Sequence, residues 1–275
     1  MTSMRSRALP IAVVALVLVF LTAVVWYAVA GGASLTDPAE ILTQGAEATS
    51  EADSFHVALT AAGSIEDPDT GASMPLDGVA MEADVDLANE AAHVTFAVPF
   101  LLGLSGEAIV LGEDMYLMSS LSGDKWIHTA SSEGHPTPEP SSPAEIADKV
   151  NEFLATEGVS AEKLPDQECG EDTCYHVRLS ISEEARAAHP SAMPDMREYG
   201  SFLPEDAFSG PVAVDLLFDR DGLWLREVST SAVDPESGDA SLTLTLSQYN
   251  EAFEITAPPA DQVTDEGEFP LFPTD

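Results

Sequence analysis

Positive charge is what this sequence has least of. Ten Lys and Arg stand against 48 Asp and Glu in 275 residues, a formal net charge of −38. Nucleic acids are bound through clustered cations that displace counterions, so general nucleic-acid binding is excluded. Anionic lipid headgroups would likewise be repelled by such a surface. Cysteine is nearly absent too. Only Cys169 and Cys174 occur, so no cysteine near the N-terminus can carry a lipid.

The usual catalytic signatures are also missing. There is no G-x-S-x-G elbow, H-E-x-x-H pair, phosphate loop or G-x-G-x-x-G turn. His56, His93, His128, His135, His176 and His189 show no close metal-ligand spacing. Asp219-Arg220-Asp221-Gly222 is only a fragment of a calcium loop and reads better as a hairpin turn. Carboxylate pairs are so common in this chain that none is informative. No catalytic residue, metal or cofactor is therefore expected.

What the chain does have is an uncharged run of twenty residues, Ile11 to Ala30, preceded by Arg5 and Arg7. At ~1.5 Å per residue it matches a bilayer core of ~30 Å. The leading arginines place the N-terminus in the cytoplasm and the rest outside. A single-pass membrane helix with an extracytoplasmic C-terminal domain is the expectation. Ala28-Val29-Ala30 before Gly31-Gly32 also satisfies the small-x-small rule, so cleavage near Ala30 and secretion is the alternative.

In an exported chain, Cys169 and Cys174 around Gly170-Glu171-Asp172-Thr173 point to a disulfide stapling a hairpin. A zinc site is the weaker alternative, because no further Cys exists and His176 falls on the opposite strand face from Tyr175.

Period-two alternation dominates the remainder. Phe55, Val57 and Leu59 begin it, followed by Val79 to Leu87, Val94 to Val98, Ile109 and Leu111, Met115 and Leu117, and Trp126 and Ile127. It resumes at Tyr175 to Ile181, Val212 to Phe218, Leu223 and Leu225 with a slip to Val228, and Leu242 to Leu246. Two stretches read as helices instead. One starts at Thr36 or Asp37 with Pro38 in its first turn. The other starts at Ser142-Pro143 and carries Ile146, Val150, Phe153 and Leu154 on one face. A third begins at Ser182. The pattern predicts an α+β fold with nine to eleven antiparallel strands. Its two or three helices pack on one face of a large curved sheet. The tail after Ala257 is expected to be extended.

In this order the segments Asp37-Pro38-Ala39-Glu40-Ile41-Leu42, Ser54-Phe55-His56-Val57, Cys174-Tyr175-His176-Val177-Arg178-Leu179, Leu223-Trp224-Leu225-Arg226 and Tyr249-Asn250-Glu251 to Ile255-Thr256-Ala257-Pro258 resemble actinobacterial LppX/LprG-type lipoproteins of the wider LolA/LolB-like superfamily. The resemblance covers roughly residues 36–260. It implies a half-open β-barrel closed by helices on its concave face, with an apolar cavity for acyl chains of lipids or glycolipids. The chain departs from those lipoproteins in lacking the leader cysteine, so the membrane helix would replace the lipid anchor.

Three segments follow: 1–34 as anchor and linker, 35–260 as the lipid-binding domain, and 261–275 as an acidic, proline-containing tail. The cavity lining expected from the alternation is Phe55, Val57, Leu59, Met81, Val85, Phe96, Met115, Leu117, Phe153, Val177, Leu179, Val214, Leu216 and Leu244. Met74, Met118, Met193 and Met196 add adaptable side chains suited to variable apolar cargo. The stretch 190–208 is the candidate entrance lid. The partners expected are acyl chains, the cytoplasmic membrane and a protein partner in lipid export. A non-catalytic extracellular sensor or structural interaction module is the alternative function.

Overall fold

The computed structural model describes residues 35–66, 73–120, 123, 125–130, 143–170, 172–188, 212–234 and 238–264. Among these residues no helix is long and apolar enough to cross a membrane. The run Ile11–Ala30 lies outside them.

Among the described residues the fold is a large, curved, unclosed sheet with three helices. Strands β1 (Ser54–Glu66), β2 (Ser73–Pro75), β3 (Ala80–Asp86), β4 (Ala91–Val98), β5 (Leu104–Leu111), β6 (Asp114–Ser119) and β7 (Trp126–Ala130) precede the helix Pro143–Leu154. Strands β8 (Val159–Cys169), β9 (Asp172–Ile181), β10 (Val212–Asp219), β11 (Leu225–Asp234), β12 (Gly238–Ser247) and β13 (Val263–Thr264) follow it. The spatial order is β13-β7-β6-β5-β4-β3-β1-β12-β11-β10-β9-β8, and β2 pairs beside β1. Every pairing is antiparallel except β13 with β7. Two meanders are thus joined where β1 meets β12, residues far apart in the chain.

Helix α1 (Pro38–Ser50) starts where Asp37 caps it, its carboxylate accepting from the Ala39 N–H at 2.9 Å. Its stripe Ile41, Leu42, Ala46 and Thr49 is buried, and it lies against β8, β9, β11 and helix α2 (Pro143–Leu154). Gly45 sits where a side chain could not fit: a Cβ there would come 2.3 Å from the Phe218 ring. Helix α3 (Glu183–Ala188) is capped by the Ser182 hydroxyl, which accepts from the Ala185 N–H at 3.1 Å.

The cross-strand register settles which residues share the inner face. Phe55 pairs with Val85, Leu59 with Met81 and Leu244, Val228 with Leu216, and Leu216 with Val177. The slip at Leu225–Val228 is a bulge: Leu217 faces Glu227 and Phe218 faces Leu225, so Arg226 is the extra residue and both Leu225 and Val228 turn inward.

Three expectations are corrected. The apolar stripe of β5 facing the core is Ala108 and Val110, which pair with Val94 and Ala92, rather than Ile109 and Leu111. Ile109 lies on the outer face between His93 and Tyr116, still buried. Strand β8 had no apolar alternation to announce it, since this edge strand is mostly exposed and broken by an irregularity between Leu164 and Gln167. The tail after Ala257 does not stay extended within the described residues, and 265–275 lie outside them. It forms a 3₁₀ turn, Ala260–Gln262, and then adds β13 to the free edge of β7.

Cys169 and Cys174 form a disulfide across the β8–β9 turn, with Cα atoms 5.9 Å apart.

Candidate functional site

The concave face changes character along the strands. At one end, here the closed end, Phe55, Val85, Leu246, Phe218, Tyr175 and Leu225 are fully buried beneath α1. Toward the other end the same inward parity carries Leu59, Phe96, Leu242, Val214 and Leu179, all apolar and only half-buried. On the register Leu59 neighbours Met81, Met81 neighbours Phe96, and Val214 neighbours Leu179. Thr230 stands between Leu242 and Val214 on the same face, so the open end is two apolar patches joined across a threonine. Removing apolar area from water yields roughly 25 cal/mol per Å². An apolar face left half-covered is accordingly a surface to which apolar matter is driven.

Apart from Phe153, the residues expected from sequence all have inward parity: Phe55, Val57, Leu59, Met81, Val85, Phe96, Met115, Leu117, Val177, Leu179, Val214, Leu216 and Leu244. Their burial divides them. Val177 is 0% exposed, and Phe55, Val57 and Leu216 are nearly as enclosed, so they are packed core. Leu59, Phe96, Leu179 and Val214 remain half-covered. Phe153 lies on α2 and is half-exposed, while its neighbour Leu154 packs on the core. Met118 lies on the outer face opposite Glu107. Met193, Met196 and the candidate lid 190–208 fall outside the described residues, as does the side chain of Met74.

A polar knot closes the closed end. The Thr49 hydroxyl, fully buried, donates to the Gly45 carbonyl at 2.9 Å and accepts from the Leu225 N–H at 3.0 Å. The Tyr249 hydroxyl donates to the Leu225 carbonyl, and its ring stacks on Trp224 with centroids 4.7 Å apart. Burial holds the Tyr249 hydroxyl well above the ordinary phenol range. Beside it the buried Asp219 carboxylate accepts from the Gly222 N–H at 2.6 Å and lies 3.3 Å from Arg226 Nε, a charge contact without hydrogen-bond alignment. Tyr175 completes this end. Its hydroxyl accepts from the Leu35 N–H at 3.2 Å, and its ring lies between Lys163 Nζ and the Arg220 guanidinium, 5.5 and 5.3 Å from the centroid. Helix α1 and the start of the domain are thereby bolted to the β9–β11 turns. Nothing in the sequence pattern marked Thr49, because a helical threonine announces no partner 176 residues away.

The outer face holds the four described histidines in carboxylate pairs. His56 meets Asp84 at 2.7 Å, His93 meets Glu107 at 3.5 Å, and His128 meets Asp114 at 2.8 Å. His176 meets Asp215 at 2.8 Å, where Arg178 also binds the same carboxylate through two contacts of 2.9 and 2.8 Å. Desolvation pushes the Asp215 carboxyl up, but hydrogen bonds from Arg178 and His176 outweigh it and leave its pKa lowered. Cross-strand pairs of this kind pin the register. They point away from the concave face. Among the described residues no three His, Cys, Asp or Glu side chains converge as a metal site.

Comparison with known proteins yields no matching family model and no matching curated protein. Among solved structures, the chain is similar to the lipoprotein LppX of Mycobacterium tuberculosis, at 16% identity and a TM-score of 0.48, over 79% of this chain and 97% of that one. It is similar to LprF of Mycobacterium bovis at 16% identity and a TM-score of 0.49, over 80% and 96% of the two chains. A putative outer membrane lipoprotein-sorting protein domain from Vibrio parahaemolyticus aligns at 9% identity with a TM-score of 0.24, over 79% and 94%. At these identities and scores the likenesses assign neither a family nor an activity to the chain.

Proposed function

We propose that this protein is a non-catalytic carrier that holds the acyl chains of a lipid or glycolipid against the open end of its concave face. The observation that carries this reading is the contrast in burial on the concave face, between the closed core at Phe55 and Val177 and the half-covered Leu59, Phe96, Leu179 and Val214. A sheet needing only a core would bury that surface throughout. Uptake requires no covalent step. Each methylene removed from water contributes ~0.8 kcal/mol, so an acyl chain supplies the driving force by itself. The carrier works on the extracytoplasmic side of the membrane, held by Ile11–Ala30 or released by cleavage after Ala30. Lys163, Arg178, Arg220 and Arg226 are each engaged by carboxylates, so these four offer no free cation to a headgroup.

The test is native mass spectrometry of the full chain extracted from a bacterial membrane, combined with uptake of a fluorescent fatty acyl probe. A lipid mass adduct and saturable uptake are expected. A clean apo mass with no probe uptake would refute the carrier. Val214→Arg should abolish uptake and leave the fold intact, because a half-exposed arginine can extend its guanidinium into water. Val177→Arg should instead unfold the domain, because it leaves an unpaired charge in a site with no solvent access.

A further inference from the structure

The most exposed large apolar side chain on the described surface is Leu102, 95% exposed. It stands at the tip of the β4–β5 loop, Pro99-Phe100-Leu101-Leu102-Gly103. From Val98 to Leu104 the sequence VPFLLGL is uncharged in a chain of net charge −38. The loop is built to keep this side chain out. Leu101 N–H donates to the Val98 carbonyl at 3.1 Å, Gly103 N–H to Pro99 at 2.9 Å and Leu104 N–H to Leu101 at 2.9 Å. Leu102 itself has φ +55°, a left-handed conformation that leucine seldom adopts. Beyond the loop, the start of β5 is tied to the end of β6, Ser120 N–H donating to the Ser105 carbonyl at 2.8 Å.

The position of this loop matters as much as its chemistry. Strand β4 runs from Ala91 at the closed end to Val98 at the open end, passing Phe96 just before the loop. The loop that carries Leu102 therefore stands at the open end of the strands, directly after Val98 and close in sequence to the half-covered Phe96. The chain enters the domain at the opposite end, where Leu35 is bonded to Tyr175. Five residue steps separate Leu35 from Ala30, the last residue of the apolar run, and they reach at most about 17 Å. The seven steps of β4 span about 24 Å from Ala91 to Val98. A retained anchor would therefore hold the Leu35 end close to its membrane, with the loop at the opposite end of the strands.

We propose that the Pro99–Gly103 loop is a docking element for a second lipid surface, and that the carrier, anchored at its closed end, presents its open end across the gap to that surface. The proposal rests on the lipid-carrier reading and on retention of Ile11–Ala30. The surface it fits is zwitterionic rather than anionic, given the charge of the chain. Leu102 and Phe100 enter its apolar layer, and an acyl chain passes between that layer and Phe96 without crossing water.

The experiment uses the full chain reconstituted into phosphatidylcholine vesicles, to which fluorescent phosphatidylcholine vesicles are added. Capture of the second population is expected. Leu102→Asp should lower capture at least tenfold and Leu102→Phe should preserve it. Aspartate tolerates the left-handed conformation, and the site is exposed, so the fold is unaffected. Failure of the wild type to integrate into the first vesicles, failure to capture the second, or equal capture by Leu102→Asp would each overturn the proposal. Native mass spectra of the same samples separate the two readings. A lipid adduct without capture leaves the carrier standing and removes the docking element. Capture that depends on Leu102 without any lipid adduct does the reverse.

Discussion

Thr49→Val is the sharpest probe of how the closed end is held. Valine keeps the shape and β-branching of threonine, so the helical backbone term changes little. What it removes is the acceptor for the Leu225 N–H, which Thr49 takes at 3.0 Å in a site where both residues are 0% exposed. A buried donor left without a partner costs about 1–3 kcal/mol. For a domain of this size that corresponds to a fall of about 4–8 °C in Tm if the loss is ~2 kcal/mol. The assay is urea unfolding of the full chain followed by tryptophan fluorescence, since Trp224 is stacked on Tyr249 beside the lost bond. Amide hydrogen exchange at Leu225 provides the local readout. Thr49→Ser keeps the hydroxyl and should leave that amide protected, losing only the ~0.8 kcal/mol of one buried methyl and its cavity. If Thr49→Val unfolds at the wild-type midpoint and Leu225 stays protected, the hydroxyl is not what bolts α1 to β11, and the account of the closed end is wrong.

The other predictions concern packing, pH and the open end. Gly45→Ala places a Cβ 2.3 Å from the Phe218 ring, so α1 must shift outward, and overpacking of this kind costs ~1–3 kcal/mol by calorimetry. The variant should also expose Tyr249 to quenching by acrylamide, and unchanged quenching would argue against a shift of α1. Asp215 has a lowered folded pKa, so its contribution to stability is fully present above the ordinary carboxylate value of 3.8 and is lost as pH falls through its lower folded value. Asp215→Asn should therefore flatten the loss of Tm below that pH, and an unchanged acid limb would show that the contacts with Arg178 and His176 contribute nothing. The pair Val214→Arg and Val177→Arg should separate uptake from folding, and Leu102→Asp should separate docking from uptake.

Much of the sheet was legible in the sequence because each half-buried strand writes its burial into a period of two. Phe55-Val57-Leu59 and Tyr175-Val177-Leu179 show this, and so does the slip at Leu225–Val228, which is the trace of a bulge. Strand β8 was illegible because an edge strand with mostly exposed side chains carries no such period. The core-facing parity of β5 was hard to read for a related reason. Ile109 is apolar and buried on the outer face against His93 and Tyr116, while the true inward residue Ala108 is small and weakly apolar.

By itself the sequence determined the class of fold, the candidate membrane run, the hairpin disulfide and the alternating apolar sets of most strands. These follow from local chemistry and periodicity, which neighbouring residues impose on one another. Only the tertiary structure decided how that face is divided into closed core and open end, since burial depends on which distant element arrives to cover it. Thr49 reaching Leu225, Phe218 filling the notch at Gly45, and Tyr175 receiving Leu35 all join residues far apart in the chain. No local pattern encodes such meetings. They arise where two meanders meet along β1 and β12, and they leave Leu59, Phe96, Leu179 and Val214 only half-covered at the other end of the strands.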